Sequence, residues 1–500
     1  MISKFFFNVF SRNVKKSSRV LIRFYSDVVK ECEGTENKGI QQETSSGDKK
    51  NGLVLGVYES GDKFELTPAA AEIDQKSGGN ICRYLNDISS ELKLGKAFVV
   101  TDLVPEFGTV ALSSLGPKDV GYNELEGMEE GRENVRVMVG AGVRTLSDRG
   151  CQSIAVDSAS VADAAAEAAH LAAWRFEEFK SYDKHQEVAL SPHGDGSKVW
   201  ELGSVFGRAQ NWARWLSDMP ANKMTPVDIA QEVLNVLCPL GVHVTAHERD
   251  WIEAQRMEAF LAVARGSCEP PIFLQCEYKG SDKPPVLIAA KGITFDSGGL
   301  CLKEGSLMQE TRGSMAGAAV TLATLKILAE LKVPINVCAV IPLCENMVSG
   351  QCMKVGDVVR TLNGLSVQIE DTDLEGRLAL ADALVFGQAL YKPSLVIDVA
   401  TLTRGILLAT GGGAFGCFSN SEAAWRAMRS AGARTGDRPW RFPLWQYYQR
   451  QIDNDHAVDL RNKGSGKASS CIGAAFLKNF VCGEWLHIDT TGVGRVTHDA

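Results

Sequence analysis

Beyond Thr225 the sequence alternates between near-continuous apolar runs and segments with helical spacing, and this alternation constrains the fold more than any other feature. Residues 286–290, 335–343, 367–370 and 394–402 read as strands, and 314–331 and 376–390 read as helices. Apolar strands separated by helices build a mostly parallel central sheet covered by helices on both faces. Upstream, strand-like runs at 97–101 and 153–156 alternate with helical patterns at 133–147 and 161–179, which marks a smaller N-terminal α/β domain. Between the two, residues 199–218 have helical spacing and stop at Asp218-Met219-Pro220-Ala221-Asn222, where proline ends a helix. The fold class expected is therefore α/β with two domains. Five hundred residues, 45% hydrophobic and 23% charged, agree with that, being more than one core usually holds.

The first 26 residues have a different character. Lys4, Arg12, Lys15, Lys16, Arg19 and Arg23 are interleaved with Phe5, Phe6, Phe7, Val9, Phe10, Val20, Leu21 and Ile22, and no acid precedes Asp27. That composition is expected of a mitochondrial transit peptide cleaved after Tyr25, with a basic membrane-surface helix as the alternative. The following stretch to Gly52 is polar and reads as a flexible spacer. The expected division is a leader at 1–25, a spacer at 26–52, an N-terminal domain at 53–198, a linker helix at 199–219 and a C-terminal domain at 220–500.

Removing the leader's six cations takes the formal charge from −8 to −14, which disfavours nucleic acid as a partner. Residues 333–344, the longest nearly apolar run, contain Pro334 and Asn336 and are too short to span a bilayer, so no membrane partner is expected. The thirteen cysteines include no Cys-x-x-Cys pair, which fits reduced thiols in the mitochondrial matrix. No histidine lies between Lys291 and Arg377, so a histidine-based zinc site is not expected.

Two polar clusters follow predicted strands, where ligands bind in parallel sheets. The first reads Lys291-Gly292-Ile293-Thr294-Phe295-Asp296-Ser297-Gly298-Gly299 and continues to Lys303; the second reads Asp371-Thr372-Asp373-Leu374-Glu375-Gly376-Arg377. Asp373 and Glu375, two apart at a strand end, can face one crevice and offer oxygens to a hard divalent ion. Alone, that pair reads more readily as an exposed acidic turn capping the next helix. The first cluster lacks the residue order of a phosphate-binding loop, and Ser297 lacks the context of a nucleophile elbow.

Taken together, the two clusters resemble the signature segments of the leucyl aminopeptidase family (M17). Val340-Ile341-Pro342-Leu343-Cys344-Glu345-Asn346-Met347, Gly356-Asp357-Val358-Val359-Arg360 and Ala400-Thr401-Leu402-Thr403 resemble it too, as does the stretch from Asp218 to Pro226, and the likeness runs from Val199 to Gly494. The resemblance implies a dinuclear metallopeptidase domain that releases N-terminal amino acids from peptides, assembled as a homohexamer. By position it implies Lys291, Asp296, Asp373 and Glu375 as ligands of two Zn or Mn ions per subunit. It implies Lys303 as the group that polarises the scissile carbonyl, and Arg377 as the holder of a bicarbonate that serves as general base.

One ligand position departs from that pattern. The family reads Met-Asp-x-Met-Arg-x-Asp-Met where this chain has Met308-Gln309-Glu310-Thr311-Arg312-Gly313-Ser314-Met315, so Ser314 stands at the position of a ligand aspartate. Thr311, Asp371, Leu374 and Arg404 replace a methionine, an asparagine, an alanine and a glycine nearby. With Ser314 in place, one ion or none is expected and catalysis is expected to be weak or lost. The alternative expectation is a non-catalytic structural homo-oligomer of the mitochondrion. It is similar to an insect sperm subgroup of the family that is abundant in mitochondrial paracrystalline material.

Overall fold

The computed structural model describes residues 51–494 apart from 62, 89–90, 182–186 and 195–196, so the expected leader and nearly all of the spacer lie outside the described residues. Two compact units result, one on residues 51–211 with 433–436 and the other on 212–432 with 437–494.

The first unit contains a six-stranded sheet of β1 (Asn51–Ser60), β2 (Lys63–Leu66), β3 (Ala97–Val104), β4 (Phe107–Pro117), β7 (Ser153–Asp157) and β8 (Ala189–His193). The short strands β5 (Tyr122–Asn123) and β6 (Met128–Glu129) pair apart from it. The sheet order is β3-β4-β1-β7-β8 with β2 on β1. Side chains of β1 alternate between two cores: Leu53, Leu55 and Val57 join Ile73 and Ile81, whereas Val54 joins Val135, Met138 and Val139 of the helix Glu130–Asp148. That period of two is why every one of these residues is buried.

The second unit is a nine-stranded sheet of β9 (His243–His247), β10 (Ile272–Lys279), β11 (Val286–Ala290), β12 (Gly292–Asp296), β13 (Asn336–Asn346), β16 (Leu395–Ala400), β17 (Phe415–Ser419), β18 (Pro439–Arg441) and β20 (Trp485–Asp489). Strands β13, β11, β16 and β20 lie side by side and parallel, flanked by antiparallel β10 and β17. Leu287, Ala289, Val340 and Val396 pack on one face against the helices Glu375–Tyr391 and Ser469–Lys478. The helix Ala316–Glu330 packs closely on β16: a Cβ on Gly317 would lie 2.3 Å from Val399 O. The α/β fold with a mostly parallel, helix-covered sheet is as expected. No helix of the described residues is long and apolar enough to cross a membrane.

Two expectations near the site are corrected. The strand expected at 367–370 is not part of the main sheet; β15 (Ser366–Gln368) pairs with β14 (Val358–Arg360) and β19 (Leu460–Arg461) in a small sheet of its own. The helix expected from Ser314 starts only at Ala316, after a 3-10 turn at Thr311–Met315. Thr311 opens that turn by donating its hydroxyl to Met308 O at 2.9 Å, a local bond that competes with α-helical pairing.

Candidate metal centre

Lys291 occupies the break between β11 and β12. Its N–H donates to Val399 O at 3.0 Å and its carbonyl accepts from Ala318 N at 3.1 Å, so the main chain is tied to β16 and to the helix Ala316–Glu330. The buried side chain crosses Gly376, where a Cβ would come within 2.8 Å of both Cδ and Cε, and only glycine leaves it that room. Its Nζ donates to Thr401 O at 3.1 Å and lies 2.7 Å from Glu375 Oε1.

Asp296 ends β12. Its Oδ1 accepts from Asn346 Nδ2 at 2.8 Å and from Gly298 N at 2.9 Å, and its Oδ2 lies 3.0 Å from Lys303 Nζ. The chain turns back through Gly298 at φ 88°, where a Cβ would lie 2.5 Å from Cys301 O. Lys303 N then closes the turn on Ser297 O at 2.9 Å, and Nζ also pairs with Asp373.

Asp373 and Glu375 are not at a strand end. Asp371 Oδ1 accepts from Asp373 N at 3.0 Å, a turn typical of aspartate, and Glu375 is the first residue of the helix Glu375–Tyr391. Glu375 is buried, and the residue before it makes no side-chain cap, so an exposed capping turn does not describe this pair. The helix N-terminus favours a carboxylate at that point.

Ligand oxygens of Asp296, Asp373 and Glu375 lie within 4.8 Å of one another. Burial, then the charge of Asp296, raises the pKa of both Asp373 and Glu375. Burial works against the Lys303 ammonium, but Asp296, Glu375 and Asp373 outweigh it and its pKa is raised. Asp373 Oδ1 and Glu375 Oε1 each sit at ion-pair distance from a lysine yet accept no hydrogen bond of good geometry. The geometry is the more informative observation: crowded carboxylate oxygens with unused lone pairs fit a divalent cation.

Arg377 is fully buried in the same helix. Nη1 donates to Asn462 O at 2.7 Å, Nε has no partner, and the guanidinium stands 6.0 Å from the Phe476 ring. Burial lowers its pKa to about 10. Among the described residues no carboxylate lies within salt-bridge distance of it, which suits an anion from outside the chain.

Ser314 is buried in the 3-10 turn, and its carbonyl accepts from Thr401 Oγ1 at 3.3 Å. Glu310, one turn earlier, is exposed and does not belong to the carboxylate cluster. Thr311 Oγ1 accepts from Asp296 N at 3.3 Å. Asp371 carries its own counter-charge, Lys463 Nζ at 2.8 Å, while Leu374 is half-buried and Arg404 is exposed at the start of the helix Arg404–Thr410.

Sequence alone named Lys291, Asp296, Lys303, Asp373 and Glu375, which the fold brings together, and Arg377, two residues beyond Glu375 on the same helix. It gave no role to Asn346, Thr372, Thr401 or Asn462. Thr372 Oγ1 donates to Gly298 O at 2.7 Å and accepts from Cys301 N at 2.8 Å, which joins the two clusters. Asn346 and Thr401 lay in segments already noticed; Asn462 stood in none.

The profile of the cytosol aminopeptidase family catalytic domain matches residues 211–500, and that of the family's N-terminal domain matches residues 54–183. The human cytosol aminopeptidase is 40% identical over 460 residues, covering 90% of this chain and 88% of the human protein. The Dictyostelium discoideum cytosol aminopeptidase is 33% identical, covering 91% and 90%. Among solved structures, the bottromycin maturation enzyme BotP in complex with Mn is similar at a TM-score of 0.77 and 26% identity, covering 89% of this chain and 93% of that one. The chain belongs to the cytosol aminopeptidase (M17) family.

Proposed function

We propose that this protein retains the crevice of a dinuclear metalloaminopeptidase but holds its second ion weakly, so that it releases N-terminal amino acids from peptides slowly or not at all. The observation that carries the reading is Ser314, a neutral hydroxyl on the turn beside a cluster of three carboxylates. The three carboxylates would set three negative charges against the four positive charges of two dications. Loss even of a partner behind a metal ligand costs about 10- to 100-fold in affinity or activity, and loss of a ligand should cost no less.

Lys291, Asp296, Asp373 and Glu375 would hold the ions. Divalent ions there would supply Lewis acidity and lower the pKa of a bound water. Lys303, paired with Asp296 and Asp373, would offer its ammonium to negative charge developing on a peptide carbonyl oxygen. Arg377, buried with an unpartnered Nε, would hold a planar anion such as bicarbonate to take up a proton. The Mn complex of a structural relative supports manganese as the probe ion.

The decisive measurement is metal stoichiometry of the full-length protein, read with turnover on leucyl substrates. One tight ion or none is expected, with Ser314→Asp raising content toward two and restoring turnover. Two tight ions with chelator-sensitive turnover of roughly 1 to 1000 per second in the parent would overturn the reading. Absent turnover even in Ser314→Asp points instead to a structural homo-oligomer, a hexamer by family pattern. The basic leader supports the mitochondrial matrix as its place, which import assays of residues 1–25 fused to a reporter would test.

A further inference from the structure

Residues 368–377 carry two of the three clustered carboxylates and Arg377, yet the strand that leads into them, β15, is three residues long and lies outside the main sheet. A distant residue supplies what such a short strand cannot. Asn462 N–H donates to Gln368 O at 3.0 Å. Its Oδ1 accepts from Glu370 N at 2.8 Å and Asp371 N at 3.2 Å, its Nδ2 donates to Asp371 O at 2.7 Å, and its carbonyl accepts from Arg377 Nη1 at 2.7 Å. Asn462 is fully buried.

Strand β15 pairs in parallel with β19 as far as Gln368↔Arg461, and there the ladder would end. The Asn462 side-chain amide, a carbonyl and an amino group like those of a peptide, takes over for the next residues. A side chain can do this without holding its partner extended, so the chain is free to turn at Asp371 and enter the helix at Glu375. Aspartate lacks the donor for Asp371 O, and an apolar residue would leave two partly buried N–H groups and a carbonyl without these bonds. Lys463, the next residue, braces the same turn through Asp371 Oδ2, whose partner oxygen holds Asp373 N.

We infer that Asn462 is a positioning residue of the centre, fixing the turn from which Asp373 and Glu375 project and, through its carbonyl, the guanidinium of Arg377. Its effect on ion binding rests on the proposed metal reading; its hold on the segment does not.

The test uses full-length Asn462→Ala, with Asp382→Asn as a control that loosens the same helix about two turns away. Amide hydrogen exchange across residues 370–377 should be at least tenfold faster in Asn462→Ala and within twofold of the parent in Asp382→Asn. Calorimetric Mn²⁺ affinity should follow the same order. Should Asn462→Ala fail to fold, Asn462→Asp, which keeps the two accepted bonds and loses the donated one, is held to the same comparison with a threshold of threefold. Exchange unchanged by the asparagine variants, or accelerated equally by Asp382→Asn, overturns the inference. A parent that binds no Mn²⁺ leaves no affinity to compare, and the exchange measurement alone then decides the role of Asn462.

Discussion

Glu375 and Asp382 lie about two turns apart on one helix, both buried, and they are opposites. Asp382 is closed: Oδ2 accepts from Ala259 N at 2.9 Å and Phe260 N at 3.1 Å, and Oδ1 accepts from Leu362 N at 2.8 Å. Its oxygens are spent on tying the helix Glu258–Ala264 and the chain beyond β14 to the core. Glu375 is open: Oε1 faces a lysine without a good hydrogen bond, and a second acid stands close by. Burial raises the pKa of both, that of Asp382 to about 7, so a perturbed pKa does not separate structure from function here. The identity of the partners does. Peptide N–H groups leave a carboxylate nothing further to bind, whereas crowding by like charge with unused lone pairs leaves it ready for a cation.

Exchanging each acid for its amide is the sharpest way to break that contrast. Glu375→Gln should weaken Mn²⁺ binding by about 100-fold or more, since it removes a ligand charge outright. Calorimetry reads this directly, and an unchanged affinity would remove Glu375 from the ligand set. Asp382→Asn should leave Mn²⁺ affinity alone and lower the unfolding free energy by about 2 kcal/mol, because an amide N–H₂ must then face a backbone donor. Urea denaturation measures it. If the variant also lost its metal, the two acids would not be independent.

The sequence exposed the open region better than the closed one. Lys291 and Asp296 were legible because β11 is an uninterrupted apolar strand, and the residues that follow such a strand fall at the carboxyl edge of the sheet. Asp373 and Glu375 were legible as chemistry but not as geometry: β15 pairs with β14 just upstream and with Leu460 and Arg461, some ninety residues on, and no local pattern encodes the second pairing. Asp382 was invisible, an acid at a helical position whose three donors come from two other segments. Asn462 was invisible for the same reason. Ser314 could be named from its motif, but its 3-10 turn, opened by the Thr311 hydroxyl on Met308 O, is not written in the apolar periodicity.

Gly376 connects the open site to the packing beneath it. Gly376→Ala would place a methyl group 2.8 Å from Lys291 Cδ and Cε, and the lysine side chain would have to shift from its place beside Glu375. A cost of about 1–2 kcal/mol in unfolding free energy is expected from the overpacking, with weaker Mn²⁺ binding in the same variant. A stable variant with parental affinity would show that Lys291 does not contribute to the ion site.

The smallest effect concerns a pair that shares features of both regions. Asp398 and His487 are fully buried and adjacent on β16 and β20, with Nδ1 2.6 Å from Oδ1, and Trp485 Nε1 donates to the other carboxylate oxygen at 2.7 Å. Like Asp382 the acid is fully engaged; like Glu375 the imidazole keeps an unpartnered atom, Nε2. Burial opposes a charge on His487 and Arg377 adds to that opposition, but Asp398 and then Asp489 prevail, and its pKa is raised above 6.5. The folded state therefore binds this proton more tightly than the unfolded chain does. The stability it contributes is complete below about 6.5 and is lost as pH rises through the higher folded value. The difference in unfolding free energy between the parent and His487→Gln should accordingly be larger at pH 6 than at pH 9. A difference that stays constant or grows with pH would mean that the imidazole is neutral when folded, which would place the pair with Asp382 as a closed, purely structural contact.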